Sequence, residues 1–110
     1  MKGSIRYDKE NTTLYVRLPE DIDHYISEDI KAGTDAYLEK SCIRCIVFDF
    51  SRTVFMDSSG VGALMGRYKR MKEKGGCVMI CGVGDRIRRI LRIAAIDTLL
   101  PEIEKKESKS

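Results

Sequence analysis

Tryptophan is absent from the 110 residues, and the chain has two prolines and one histidine, His24. Long hydrophobic runs are absent too: none approaches the roughly 20 residues of a transmembrane helix, and residues 1–6 contain no apolar segment of signal-peptide length. We therefore expect a cytoplasmic protein without a membrane partner. A single histidine also leaves few ways to place an imidazole base beside a nucleophile.

Positive charge is in small excess, because 20 basic and 17 acidic residues give a net charge of +3. The excess is local, in residues 86–92 and in the C-terminal residues 105–109. Nucleic-acid-binding domains usually have a stronger basic stripe with interleaved aromatic residues, so we expect no nucleic-acid partner. The composition, 43% hydrophobic and 34% charged, predicts one globular domain, too short to combine a catalytic unit with a regulatory one.

Four cysteines invite a metal or redox interpretation, since Cys42 and Cys45 have the C-x-x-C spacing. However, Cys45, Cys77 and Cys81 lie in predicted buried strands, where a free cysteine behaves as a small hydrophobic residue. A redox pair belongs at a helix N-terminus, whereas this pair precedes a strand. We therefore predict core packing and no metal site, with a small thiol oxidoreductase using Cys42 and Cys45 as an alternative from a different class.

Hydrophobic periodicity predicts strands and helices in the first half of the chain. Residues 13–18 alternate as a half-buried strand, paired in a hairpin with a short strand around Ile5 and Tyr7. A first helix is predicted over residues 24–39. The nearly continuous apolar run 43–50 predicts a central strand that is covered on both faces.

The second half continues the alternation. Apolar residues at helical spacing predict a second helix, whose basic residues toward the C-terminal end, Arg67 among them, complement the helix dipole. Gly75 ends this helix as a left-handed cap. The buried strand 77–81 follows, and Asp85 caps a third helix. The apolar group 96–103 is expected to return along the sheet or cover its edge.

The resulting order is β-β-α-β-α-β-α, which predicts an α/β fold with a mixed four- to five-stranded sheet and helices packed against it. We assign residues 1–104 to this single domain and residues 105–110 to a polar C-terminal tail.

The most informative segment is Asp57-Ser58-Ser59-Gly60, where a short apolar strand ends and a helix begins. A helix start offers unpaired N–H groups and the positive end of the helix dipole, and it tolerates negative charge. A hydroxyl here could be a nucleophile, a helix cap or a regulatory site. The nucleophile elbow G-x-S-x-G is not met, because Met56 or Asp57 stands where the first glycine is required. We therefore predict no catalytic residue.

Helix capping by Ser58 or Ser59 is the simple alternative, because serine caps are common and contribute about 0.5–2 kcal/mol. A cap requires only one hydroxyl, so capping explains only one of the two serines. The small residues Gly60, Gly62 and Ala63 on the first turn leave a low surface that another protein could approach closely. A separate motif, Gly82-Val83-Gly84, lacks the third glycine of a dinucleotide fingerprint and is interpreted as a tight turn.

The run from Phe55 to Lys69, preceded by Ile46-Val47-Phe48-Asp49-Phe50 and followed by Gly75-Gly76, resembles the STAS domain family. Within it, the sequence is most similar to the bacterial anti-sigma factor antagonists of the sporulation (forespore) pathway. The resemblance spans about residues 5 to 103. It implies a binding module without a cofactor of its own, and it implies that Ser58 is the phosphorylated residue.

The resemblance further implies that the unphosphorylated protein binds an anti-sigma factor that is also a serine kinase, which frees the sigma factor for sporulation transcription. Phosphorylation of Ser58 would abolish binding, a serine phosphatase would restore it, and ATP would be bound by the kinase. A general-stress antagonist of the same family and a ligand-binding domain without phosphorylation are alternatives. The residues expected to contact the partner are Asp23, His24, Asp57, Ser59, Gly60, Val61 and Gly62.

Overall fold

The computed structural model describes residues 4–105. Residues 1–3 of the predicted domain and 106–110 of the predicted tail lie outside this range, and the division at residue 104 stays a prediction. The elements in chain order are β1 (Arg6–Glu10), β2 (Thr13–Arg17), β3 (Asp21–Ile22), α1 (His24–Lys40), β4 (Cys45–Asp49), β5 (Phe55–Met56), α2 (Ser58–Glu73), β6 (Cys77–Cys81) and α3 (Asp85–Ile93).

The main sheet has the strand order β1-β2-β4-β6, with β1 antiparallel to β2 and the other pairs parallel. In β2, Leu14 and Val16 are buried, as its alternating pattern predicts. The central strand β4 is buried at Ile46, Val47 and Phe48, and because successive side chains of a strand point to opposite faces, both of its faces are covered. The predicted mixed sheet with packed helices is confirmed.

A second sheet of two short parallel strands, β3 and β5, lies beyond the C-terminal ends of β2 and β4. Its link to the main sheet includes the Thr53 hydroxyl, which donates a 2.9 Å hydrogen bond to the Pro19 carbonyl. The pairing Ile22 to Met56 places the ends of β3 and β5 side by side. Since α1 follows β3 and α2 follows β5, the two helices begin next to each other.

Helices α1 and α2 pack together through a polar contact inside their interface. The Thr34 hydroxyl donates to the Ile30 carbonyl at 2.7 Å and accepts from the Arg67 guanidinium at 3.2 Å. Arg67 also pairs with Asp35, whose carboxylate lies 3.7 Å from Arg70 as well. Arg67 is therefore buried and joins the two helices, whereas the sequence had indicated only a favourable interaction with the helix dipole.

The C-terminal part follows the predicted order with one correction. Gly75 has a φ of 76°, so the left-handed end of α2 is confirmed. Gly84, not Asp85, is the N-cap of α3, and no side chain makes a capping hydrogen bond there. Beyond α3, Glu102 forms a parallel bridge with Ile80, which confirms that the last apolar group returns along the sheet edge.

The cysteines do not all behave as predicted. Cys45 and Cys77 begin β4 and β6, are direct register partners and form a disulfide. The prediction that they are free core residues was therefore wrong, because the strand register brings together two residues that are 32 positions apart in sequence. Cys81 is free and buried, as predicted, while Cys42 is free and exposed. Cys42 and Cys45 are thus not bonded to each other.

Between residues 4 and 105, no helix is both long and apolar enough to cross a bilayer. Within the same range, no group of three or more histidine, cysteine, aspartate or glutamate side chains is arranged to hold a metal ion.

Candidate functional site

Asp57 connects β5 to α2 and caps the helix. Its backbone N–H donates to the Ile22 carbonyl at 3.1 Å, continuing the β3–β5 pairing by one residue. Its carboxylate Oδ1 accepts from the N–H groups of Ser59 at 2.9 Å and Gly60 at 3.2 Å. The alternative in which a serine caps α2 was therefore wrong, because the preceding residue, an aspartate, accepts from the amides of the first turn.

Ser58 is the first residue of α2 and is exposed, while Ser59 is half-buried. Neither hydroxyl makes a hydrogen bond to any residue in the described range 4–105. Ser58 in particular lacks the contact to a general base that an activated nucleophile requires. Its hydroxyl is free for modification by another protein.

The start of α1 repeats the geometry of the start of α2. Asp23 caps α1 by accepting from the Ile26 N–H at 2.9 Å, and His24 is the first helical residue, as Ser58 is in α2. The parallel register of β3 and β5 therefore brings Asp23 and His24 beside Asp57 and Ser58. Three residues predicted to contact a partner, Asp23, His24 and Asp57, thus lie at one end of the molecule with the predicted phosphorylation site Ser58, and these roles stay predictions.

The glycines of α2 have different environments. A Cβ at Gly60 would overlap the Met56 side chain and lie 2.9 Å from Ile22 Cγ2. Gly60 is thus buried and lets α2 begin close to β3 and β5, and Val61 beside it packs against the core. A Cβ at Gly62 or Gly66 would have no heavy atom within 4 Å. These two are the open positions of the first turns.

Ser58, Gly62 and Gly66 follow one another at intervals of four residues and share one side of α2. We call this row the small-residue stripe. It has no large side chain, so a partner backbone or helix can approach it closely. Gly62 was predicted as part of this surface from the sequence and Gly66 was not, although Gly66 continues the same four-residue spacing.

Exposed apolar side chains lie on the same elements as the site. Tyr25 in the first turn of α1 is 77% exposed, and Phe55 in β5 and Val54 before it are 47% and 49% exposed. The ring of Tyr25 is in edge contact with that of His24, with centroids 5.7 Å apart. Val54 and Phe55 are also consecutive in the chain, and contiguous exposed apolar surface is typical of interaction sites. The exposure of Tyr25, Val54 and Phe55 was not predicted from the sequence.

The electrostatics of this end combine two opposing contributions. The N-termini of α1 and α2 both direct the positive ends of their dipoles to the site. Around them lie the carboxylates of Glu20, Asp21 and Asp23, which are exposed, and Asp57, which is half-buried. The surface around Ser58 is therefore acidic, with the helix dipoles offsetting part of the charge.

A different charged cluster surrounds Asp49 at the end of β4. Burial opposes ionisation of Asp49, but hydrogen bonds from the hydroxyl and N–H of Ser51, followed by the charges of Lys105 and Arg17, outweigh it and lower the pKa of the carboxyl. Neighbouring Cys81 has its pKa raised to about 11 by burial and by the charge of Asp49. The Cys81 thiol therefore stays protonated at neutral pH, consistent with a packing role.

The fold of this chain corresponds to a known class. The chain belongs to the STAS domain family, whose match covers residues 4–109. It is 31% identical over 101 residues to an anti-sigma F factor antagonist of Paenibacillus polymyxa, covering 92% of this chain and 86% of the relative. It is 26% identical over 80 residues to an anti-sigma-B factor antagonist of Listeria monocytogenes, covering 73% and 69%.

Solved structures show the same fold. The unphosphorylated form of the anti-sigma factor antagonist SpoIIAA superposes with a TM-score of 0.83 at 23% identity, covering 94% of this chain and 90% of that chain. The match to the STAS family and to SpoIIAA confirms the predicted family and fold class.

Proposed function

We propose that this protein is an anti-sigma factor antagonist that acts in the cytoplasm and is switched by phosphorylation of Ser58. Unphosphorylated, it binds an anti-sigma factor that is also a serine kinase and thereby frees the sigma factor. Phosphorylated, it no longer binds, and a serine phosphatase restores it. The observation on which the proposal rests is that Asp57 caps α2, so the exposed Ser58 hydroxyl next to it is free.

The position of Ser58 explains how a phosphate would act. Phosphorylation adds about −1.5 to −2 charges at neutral pH. On an exposed side chain at a helix start, this charge requires no internal rearrangement, because it remains hydrated and meets the positive end of the dipole. In a complex with a partner on the small-residue stripe, the same phosphate would be buried beside the Asp57 carboxylate. Loss of hydration and like-charge repulsion both oppose that burial.

The F-type relative is more similar to this chain than the B-type relative, with 31% against 26% identity. We therefore infer the sporulation pathway, with general-stress control as the second candidate. The chain itself performs no catalysis in this proposal. The absence of catalysis is supported by Ser58, whose hydroxyl has no base within hydrogen-bonding distance in the described part of the chain. ATP and its magnesium are bound by the kinase.

The proposal is tested by incubating the purified protein with the anti-sigma factor kinase encoded in the same genome and Mg-ATP, followed by intact-mass measurement. We expect the wild type and Ser59→Ala to gain one phosphate, and Ser58→Ala to gain none. Ser59→Ala is the matched control, because its hydroxyl is also unbonded in the first turn of α2. Phosphate on Ser58→Ala, or none on the wild type, would contradict the proposal.

Binding of the same kinase, measured by titration calorimetry, tests the switch itself. We expect Ser58→Asp to bind at least about tenfold more weakly than the wild type, because it buries a charge at the interface. Ser58→Asn, which has nearly the same size without the charge, should lose less affinity. Gly62→Gln should also bind weakly, since its side chain would project from the small-residue stripe. Wild-type affinity of Ser58→Asp would rule out the charge mechanism.

A further inference from the structure

Helix α3 presents arginines to solvent. Of its four arginines, Arg88 pairs with Glu102 through contacts of 2.6 and 3.1 Å and donates to the Val83 carbonyl at 3.3 Å. The other three are Arg86, Arg89 and Arg92. They are exposed, and none has an acidic partner within residues 4–105. Ile93 lies among them and is 79% exposed. We call these four exposed residues the arginine face.

Many other basic side chains of the chain contact an acidic or aromatic partner. Arg67 and Arg70 form ion pairs with Asp35, and the Lys72 ammonium lies 5.7 Å from the Tyr68 ring centroid. Lys105 and Arg17 form ion pairs with Asp49. Three neighbouring arginines without such contacts on a single nine-residue helix therefore form a local excess of positive charge that the fold itself does not use.

The helix that carries the arginine face packs beside the strand that leads to Ser58. Helix α3 packs beside β5, and β5 with the residue before it provides the exposed Val54 and Phe55. Two residues after Phe55 the chain reaches Asp57 and the start of α2. A partner that covers Ser58 and Phe55 therefore covers the strand against which α3 packs, and α3 is the next element that it meets on that side.

The composition of this surface favours a protein as its partner. Arginine and aromatic residues are enriched among the side chains that contribute most to binding energy at protein interfaces. Nucleic-acid binding favours aromatic residues among the arginines, and α3 has none. Stable membrane association needs a continuous apolar face, whereas Ile93 is the one large apolar side chain of α3 that is strongly exposed.

We propose that the arginine face is a second docking surface, which binds an acidic region of the same anti-sigma factor that covers Ser58. This inference rests on the proposed function. Because the Ser58 end is acidic and the arginine face is basic, the two surfaces together fix the orientation of the partner. Exposed charges act mainly on the rate of association and its dependence on salt. Ile93, which is desolvated in the complex, acts mainly on dissociation.

The test compares two triple variants by stopped-flow binding of the anti-sigma factor kinase at low and high ionic strength. The first is Arg86→Glu/Arg89→Glu/Arg92→Glu. The matched control is Lys9→Glu/Lys40→Glu/Lys74→Glu, which makes the same charge change on exposed residues at the opposite end of the molecule. We expect the arginine variant to associate about tenfold more slowly at low salt and to lose most of its salt dependence. The control should remain within about twofold of the wild type.

A milder triple variant to glutamine guards against misfolding, and circular dichroism with thermal melting verifies the fold of each protein. The glutamine variant should lie between the wild type and the glutamate variant. A folded arginine variant that associates at the wild-type rate overturns the inference. The same conclusion holds if that variant has lost binding to DNA or to anionic vesicles, because the arginines would then serve a different partner. If Ser58→Asp weakens binding while the arginine variant does not, the second surface fails and the proposed function stands. If the wild type itself does not bind, both fail.

Discussion

Asp57 and Ser58 divide two tasks between neighbouring residues. The Asp57 carboxylate holds the first turn of α2 through the amides of Ser59 and Gly60. Ser58 makes no contact that the fold needs within the described residues. The residue that stabilises the helix start is therefore not the residue proposed to change state, and modification at Ser58 leaves the cap intact.

Substitution of the two residues should separate these tasks. We expect Asp57→Ala to lower the free energy of unfolding by about 0.5–2 kcal/mol, because the Ser59 and Gly60 amides lose their acceptor. Ser58→Ala should change it by less than about 0.5 kcal/mol. Urea denaturation followed by circular dichroism measures both. Equal losses in the two variants would mean that the serine hydroxyl takes part in capping.

The sequence located this site but assigned its cap to the wrong residue. Asp and Ser are nearly equivalent as helix caps, and a sequence pattern alone leaves the start of a helix uncertain by one or two residues. In the segment Asp57-Ser58-Ser59, three successive residues qualify, and the β3–β5 pairing decides among them because it holds Asp57 in extended conformation.

At the scale of elements, the two long helices were predictable and the small second sheet was not. α1 was predicted over residues 24–39 and is observed as His24–Lys40, because its apolar residues recur over four turns. β3 and β5 have two residues each, too few to show a period. Their pairing depends on contacts such as that between Thr53 and Pro19, 34 residues apart. Yet this pairing places Asp23 and His24 next to Ser58.

The glycines of α2 provide a test of how the helix fits against this sheet. Gly66→Ala should raise the free energy of unfolding by about 0.5–1 kcal/mol, because alanine favours the helix and its Cβ meets open space. Gly60→Ala should lower it by about 1–2 kcal/mol, since overlap with Met56 and Ile22 exceeds the same gain in propensity. Thermal or urea unfolding of both variants gives the comparison.

Because the substitution is identical in both cases, the intrinsic helix propensity cancels. An equal change in stability for Gly60→Ala and Gly66→Ala would show that α2 does not pack against β3 and β5 as closely as described. The buried glycine would then have no role in positioning the start of the helix, and with it Ser58.

At the scale of the whole molecule, the disulfide and the proposed phosphorylation site lie at opposite ends of the sheet. The disulfide joins the first residues of β4 and β6, whereas Ser58 lies beyond the C-terminal ends of the parallel strands. This pairing was not predictable from cysteine spacing. It depends on β4 and β6 being neighbours in register, and the C-x-x-C pattern of Cys42 and Cys45 indicated a different pair.

Opening the disulfide should therefore affect stability and leave the switch unchanged. For a closed loop of 32 residues, the chain-entropy contribution to the free energy of unfolding is at most about 3–4 kcal/mol. Cys45→Ser/Cys77→Ser, or the wild type in dithiothreitol, should lose up to this amount in urea denaturation. Cys42→Ser is the matched control and should lose less than about 0.5 kcal/mol, since its thiol is free and exposed.

The second part of this prediction concerns the phosphorylation of Ser58 in the reduced protein. The reduced protein should accept phosphate on Ser58 at the wild-type rate, because the hydrophobic core formed by β2, β4, α1 and α2 remains in place without the disulfide. This matters for the proposed location, since thiols in the cytoplasm are kept reduced and the working form there would be the reduced one. A reduced protein that is unfolded at 25 °C, or one that is folded but phosphorylated several-fold more slowly, would contradict the separation of the two ends.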